Sequence, residues 1–391
     1  MHIIEAYATH CGLKIDKPWM YESYYPIETD SYITLQPSGG ADVRDYDYWD
    51  EVIFHLAPLL KKRKIDIIQL GGEKDKTLGG CMHTQGRTTI SQLAYLIKGS
   101  MLHLGVDSVG VHVASSYGKK IVGLYCNQWT RSSGPFWSKS KDVALHEPNR
   151  NGVKPSFSLS EYPKTINEIS PEKIAQSVLD LLDINHKIPF ERVHVGQNYP
   201  ETNIQNIPSS VARLNVASPI IVRMDLEFNE EMLAAQLGLN ACVVVTDKPI
   251  DTRLLNNAKS RIVNLVYYLD KNHNPDFVKF LHQNAISYAL LTELEGEDLN
   301  EIKMDYLDYG FIHKKTNDKE GREKLKECDL ASLFYKTKKK ILKDGDCYNS
   351  VSNLEAGIVM DDVNDFSFTP VVDNPEFWQF LDEAYVVKKL D

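Results

Sequence analysis

No stretch of this chain approaches the roughly 20 consecutive apolar residues that a bilayer-spanning helix needs. Its N-terminus, "MHIIEAYATHCGLKI", lacks the basic start and long apolar stretch of a secretory leader. Six cysteines are present (Cys11, Cys81, Cys126, Cys242, Cys328 and Cys347), but none forms a CxxC pair, and several lie in apolar runs. That spacing argues against structural zinc and for a reducing, cytoplasmic setting. Positive charge is in the minority: 44 Lys and Arg face 54 Asp and Glu, a formal net charge of −10. Broad binding to nucleic acid or anionic lipid is therefore not expected. Neither a GKT/GKS Walker loop nor a GxGxxG turn occurs, and there is no fixed-period repeat or low-complexity tract.

What is present is strand–helix alternation. The chain has 391 residues, 42% hydrophobic and 25% charged, enough for two domains with a core each. "YITLQ" reads as a strand, and "YWDEVIFHLAPLLKK" as a helix with Val52, Ile53, Leu56, Leu59 and Leu60 on one face. "IDIIQLGG" is a strand, "TTISQLAYLIKG" a helix, "MLHLGVD" a strand, "VGVHVASSYG" a short helix and "IVGLYC" a strand. A Ser-, Pro- and Asn-rich loop (138–168) precedes "ISPEKIAQSVLDLLDI", with Ser170 expected at the N-cap and Pro171 at N1. This pattern predicts a doubly wound parallel sheet over 1–184. Residues 185–214 read as a linker. A second, smaller α/β domain is expected over 215–314, and a charged segment with a docking tail over 315–391, including a hairpin at Asp344-Gly345 and a clasp of Phe377, Phe380 and Leu381 with Trp378 at its edge.

Ligands of parallel α/β sheets bind outside the carboxyl ends of the strands, and the glycine-bearing turns lie there. In "DSVGVHVASSYG", Asp107 ends a strand while Ser108, Gly110 and Val111 open a helix, whose free N–H groups suit a phosphate. Taken alone, Asp107 reads first as a simple helix cap, and His112 as a hydrogen-bonded structural histidine. In "QPSGGADVR", Ser38, Gly39 and Arg44 offer hydroxyl, amide and guanidinium donors, or only a flexible turn. In "LGGEKDK", Glu73 stands past a strand end, where a carboxylate accepts ribose hydroxyls or is merely solvated.

Taken in order, "YITLQPSGGADVR", "IIQLGGEKD", "QGRTTISQLAYLI", "DSVGVHVASSYGKKIVGLYCNQWTRSSGPFW" and "INEISPEKIAQSVLDLL" resemble the nucleotide-sugar-binding half of glycosyltransferase family 9, the ADP-heptose:lipopolysaccharide heptosyltransferases. Val109 is one departure, standing where the family places glycine directly after the Asp-Ser pair. The resemblance implies a GT-B-like fold of two Rossmann-like domains and an inverting, metal-independent glycosyltransferase with no cofactor beyond its nucleoside-diphosphate sugar donor. It places the diphosphate near Ser38, Gly39, Arg44, Asp107, Ser108, Gly110, Val111 and His112, and the ribose near Glu73.

In the family the acceptor-binding domain precedes this half and carries the catalytic aspartate. Here the second α/β domain follows, which suggests a permuted order with 215–314 as the acceptor half. Asp225, at the end of "PIIVRMD", is then the expected base, with Glu227 beside it and Asp247 as a rival. The expected partners are a nucleotide sugar and a carbohydrate or glycoconjugate acceptor. The competing expectations are a non-catalytic scaffold that keeps the donor fold without a base, and a nucleotide-dependent epimerase.

Overall fold

The computed structural model describes residues 1–214, 218–315 and 318–390. The expected start of the second domain at residue 215 lies outside them, as do residues 316–317 and the last residue of the expected tail. The chain divides into two units, 1–191 and 192–390.

The first unit runs α1 (Ile3–Cys11), β1 (Tyr32–Gln36), α2 (Trp49–Lys61), β2 (Asp66–Gln69), β3 (Met82–His83), α3 (Ile90–Gly99), β4 (Leu102–Val106), α4 (Val109–Ser116), β5 (Lys120–Leu124), α5 (Thr130–Ser133), β6 (Val143–His146) and α6 (Pro171–Leu181). Its sheet has the order β3-β2-β1-β4-β5-β6, with every pairing parallel. The chain leaves β1 towards β2 and returns on the other side of it as β4, so the direction of winding reverses between β1 and β4. Helices α3 and α4 bury Leu93, Ile97, Val111 and Ala114 against Tyr32, Ile68 and Ile121, and α2 packs on α6. Helix α3 starts with a capping box: Thr89 Oγ1 accepts from Gln92 N at 3.3 Å while Gln92 Oε1 accepts from Thr89 N at 3.0 Å. Ser170 and Pro171 take the expected positions on α6, but the Ser170 hydroxyl donates to Glu172 Oε2 at 2.6 Å and caps no backbone N–H. Strand β6 lies inside the stretch expected to be a loop, because four half-buried residues are too few to show a period.

A buried polar pair joins the two central strands. His103 on β4 is fully buried, with Nδ1 3.0 Å from Thr34 Oγ1 of β1. Its Nε2 has no hydrogen-bond partner among the described residues. Burial pushes the imidazole pKa down to about 3.

The second unit contains β7 (Phe190–Val195), β8 (Asn203–Asn206), β9 (Ile220–Arg223), α7 (Glu230–Leu239), β10 (Cys242–Thr246), α8 (Thr252–Ala258), β11 (Ile262–Leu269), α9 (Pro275–Gln283), β12 (Tyr288–Thr292), α10 (Gly296–Asp305), β13 (Ile312–Lys314), α11 (Lys319–Lys326), β14 (Leu333–Lys336), β15 (Lys339–Lys343), β16 (Asp346–Tyr348), α12 (Val351–Glu355), β17 (Thr369–Pro370), α13 (Pro375–Phe380) and β18 (Tyr385–Lys389). Its main sheet has the order β13-β12-β11-β10-β9-β8-β15-β16, parallel except for the last pair. From β8 to β13 the order is monotonic, and the helices of α7–α10 all bury side chains against one face, through Leu233, Leu255, Phe277 and Ile302 on Val222, Val244, Leu265 and Leu290. Crossovers of one hand in one direction produce this one-sided arrangement. A second sheet, β17-β14-β18-β7, packs Tyr335 and Val386 on Phe377 and Leu381.

Two expectations about this region change. Residues 185–214 supply strands β7 and β8 rather than only an ordered linker, and residues from 333 onward supply strands to both sheets rather than a docked tail. The reason is that these strands are polar. On β8, Gln205 and Asn206 are buried, and Asn206 Nδ2 donates to Ser210 O at 2.9 Å. On β15, Lys340 is 1% exposed, with Nζ donating to Asn349 Oδ1 at 2.6 Å. A buried strand whose polar groups are satisfied internally carries no hydrophobic signature. The expected hairpin is present, with Asp344 (φ 53°) and Gly345 (φ 92°) turning β15 into β16. All six cysteines are free, and no helix among the described residues is long and apolar enough to cross a membrane.

Replacing Phe377, at 0% exposure, with alanine is expected to cost about 3–5 kcal/mol, read from urea unfolding followed by circular dichroism. His103 makes stability pH-dependent. Its folded pKa lies below the unfolded value, so the stability contribution is whole above pH 6.5 and is lost as pH falls towards about 3. Urea midpoints across that window should fall less steeply for His103→Gln than for the natural chain.

Candidate functional site

The winding reverses between β1 and β4, and the crevice outside the carboxyl ends at such a reversal is where parallel sheets of this order hold ligands. Two segments meet there. One is the turn after β1, Pro37 to Arg44, steadied by Trp49 Nε1 donating to Pro37 O at 2.9 Å. The other is Asp107-Ser108 with the first turn of α4.

Small residues let these segments touch. A Cβ on Gly39 would stand 2.9 Å from Arg44 Cδ and 3.1 Å from the Asp107 carbonyl oxygen. A Cβ on Gly110 would fall 2.7 Å from His103 Nε2 and would also strike Gln36. Through these gaps run two hydrogen bonds. Arg44 donates through a terminal guanidinium nitrogen to Asp107 O at 2.9 Å, and Gly110 N donates to Gln36 Oε1 at 3.0 Å. The α4 N-terminus is therefore capped from β1. Neither reading of Asp107 as a local cap nor an ordinary serine cap describes it: Ser108 occupies the N-cap without a side-chain bond, and its buried hydroxyl has no partner among the described residues.

Asp107 is 5% exposed. Its Oδ2 accepts from Ser133 Oγ at 3.2 Å, and its Oδ1 lies 3.9 Å from His112 Nε2. Burial raises the carboxyl pKa, opposed by the charges of Arg44 and His112. Burial lowers that of His112, with Asp107 pulling it back. The arrangement presents a guanidinium, an imidazole, two hydroxyls and helix-terminal backbone to one crevice.

Of the residues singled out in the sequence, Gly39, Arg44, Asp107, Ser108, Gly110 and His112 come together here. Ser38 precedes Gly39 in the same turn and is half-buried. The Val111 side chain points into the core at 0% exposure, so only its backbone is available. Glu73 stands exposed in the turn after β2, with no contact to this cluster among the described residues. Asp225 lies in the second unit, just past β9. Arg223 holds both of its oxygens, Nε to Oδ1 at 2.8 Å and a terminal nitrogen to Oδ2 at 2.7 Å. Glu227 pairs with Lys343 at 3.4 Å, and Asp247 is exposed after β10.

Sequence reading passed over Gln36, Ser133 and His103. A polar residue closing one buried strand and a histidine inside another were the available signals for Gln36 and His103. Ser133 had none, since its role depends on where a distant loop returns. Asp45 and Asp47 also stand two residues apart just past this turn, but no group of three or more His, Cys, Asp or Glu side chains among the described residues is placed to hold a metal ion. The two carboxylates have different surroundings. Asp47 accepts from Lys164 Nζ at 3.0 Å and Asn167 Nδ2 at 2.7 Å, while burial raises the pKa of Asp45.

Comparison with known proteins agrees with this half of the chain. Residues 9–162 match the profile described as "Glycosyltransferase family 9 (heptosyltransferase)". The lipopolysaccharide core heptosyltransferase OpsX of Haemophilus influenzae is 26% identical over 155 residues, 38% of this chain and 38% of that protein. Among solved structures, E. coli ADP-heptose lps heptosyltransferase II shares 16% identity over 46% of this chain and 50% of that one, with a TM-score of 0.32. The glycosyl transferase family 9 protein of Veillonella parvula shares 17% over 46% and 50%, with a TM-score of 0.31. The match thus spans well under half of the curated relative and about half of each of these structures. The profile match falls within the first unit of this chain, which is therefore the part similar to glycosyltransferase family 9.

Proposed function

We propose that the protein is an inverting, metal-independent glycosyltransferase. Its first unit takes a nucleoside-diphosphate sugar in the β1/β4 crevice, and the sugar passes to a carbohydrate or glycoconjugate acceptor. The observation that carries this is the closeness of the two turns at Gly39 and Gly110, which brings Arg44, His112 and the unbonded Ser108 hydroxyl to the mouth of one crevice. Arg44 and backbone N–H groups would stabilise charge developing on the leaving diphosphate. Glu73, on the neighbouring strand's turn, is the residue assigned to the ribose. A heptose donor is the first to try, because the profile and the curated relative both carry that sugar in their names. The expected location is cytoplasmic.

Asp225 is the proposed base. Arg223 fixes its orientation through one contact to each oxygen, and a carboxylate retains further lone pairs that can accept an acceptor hydroxyl. The same ion pair favours a second reading, a nucleotide-binding scaffold without turnover, since both Asp225 and Glu227 are engaged by cations. Product analysis with ADP-heptose separates the two. Transfer or hydrolysis abolished in Asp225→Asn supports the enzyme, whereas full activity in that variant removes Asp225 as base. Absence of turnover with retained nucleotide binding supports the scaffold.

Calorimetry with ADP, UDP and GDP tests the donor site itself. Arg44→Ala is expected to weaken the bound diphosphate about tenfold or more, and no binding by any of the three overturns the reading. Affinity should also fall as pH rises through the elevated range of the Asp107 carboxyl. Below it the group is neutral, and above it the carboxylate opposes the diphosphate. Asp107→Asn should flatten that fall while leaving the ligand's own titration in place.

A further inference from the structure

We infer that the second unit carries a separate binding site for a neutral saccharide, on the sheet face that α7–α10 leave uncovered. Those helices all pack on the face of Val222, Val244 and Leu265. The register places Gln205, Arg223 and Tyr268 on the opposite one: Gln205 pairs with Ile221, and Val245 pairs with both Arg223 and Val266, two residues before Tyr268. There they line a crevice whose other wall is α13 and the turn after it, including Phe380 and Glu383. The crevice also sits where the winding of this sheet reverses, since β8 is flanked by β9 on one side and β15 on the other.

The charges in this crevice identify the ligand class. Each cation has a carboxylate of its own: Arg223 with Asp225 at 2.7 Å, Lys339 with Glu383 at 2.8 Å, and Lys315 with Glu293 at 2.9 Å. An anion would have to break one of these pairs, at the cost of leaving a partly buried charge unmatched, and would also face the Glu376 carboxylate on the same wall. A neutral polyhydroxylated ligand breaks none. Its hydroxyls donate to carboxylate lone pairs not used by the cations and accept from the amide and ammonium groups. The rings of Tyr268 and Phe380 supply apolar wall for sugar C–H groups. Arg223 further donates to Gln205 Oε1 at 2.6 Å, so the polar surface is held in place before any ligand arrives. This site stands independently of the nucleotide reading, and its occupancy requires no nucleotide.

The test is a glycan array carrying neutral, carboxylated and phosphorylated oligosaccharides, probed with the full chain in the absence of nucleotide. Retention of neutral glycans is expected, with apparent affinity falling about tenfold in Gln205→Ala and in Tyr268→Ala. Calorimetry with ADP on the same variants should be unchanged, which separates this site from the donor crevice. Hydrogen exchange on the natural chain with the retained glycan provides a measurement that needs no variant to fold. Protection should appear in β8, β9 and α13. No glycan retained, preference for the anionic glycans, or protection confined to other segments would overturn the proposal.

Discussion

The turn after β1 and the first turn of α4 approach so closely that a side chain at either of two glycines would force its neighbours to shift. At Gly39 the obstacle is the Asp107 carbonyl and the stem of Arg44; at Gly110 it is His103 and Gln36. The other features of the crevice follow from this approach. It lets a glutamine from one strand cap a helix that belongs to another, which frees Ser108 from the capping role its position would otherwise assign. It also draws Arg44 onto the backbone at the head of α4, adding a fixed positive charge to the partial charge of a helix terminus. The buried Asp107 carboxyl stays in place because Ser133 and His112 flank it from α5 and α4.

The two units solve the same packing problem differently. In the first, the winding reverses in the middle of a six-stranded sheet, so the central strands are covered on both faces and β1 is buried at every residue. In the second, six successive strands, β8 to β13, advance in one direction. The helices gather on one face, and the opposite face is left half-buried, with Ile221, Val243, Val266, Ala289 and Leu291 along it. Polar strands from far along the chain extend that sheet. Their lysines and amides tolerate burial only because each finds a partner, as Lys340 does at Asn349 and Lys339 at Glu383.

Much of the first unit was legible from residue order. Its helices announce themselves through 3.6-residue stripes and its central strands through short apolar runs, and the turns between them carry glycines at the edge where ligands bind. That was enough to expect the parallel sheet and to name Gly39, Arg44, Asp107, Ser108, Gly110 and His112 as neighbours, because parallel winding brings successive strand ends to one edge. The hairpin at Asp344-Gly345 was legible for a similar local reason, since an Asp-Gly pair accepts the positive φ values that the turn imposes.

Contacts between distant positions were decided by tertiary structure alone. Gln36 reaches Gly110 across 74 residues and Ser133 reaches Asp107 across 26, and no period or spacing encodes either. Strands β8 and β15 escaped notice because pairing, not apolar patterning, makes them strands. The sequence by itself determined which residue types stand at each strand end and which turns can bend tightly. Only the folded chain decided that Arg223 takes both oxygens of Asp225 while Ser108 keeps a buried hydroxyl unbonded. The physical reason is that backbone conformation responds to neighbours in the chain, whereas hydrogen-bond satisfaction depends on whatever the fold brings within 3 Å.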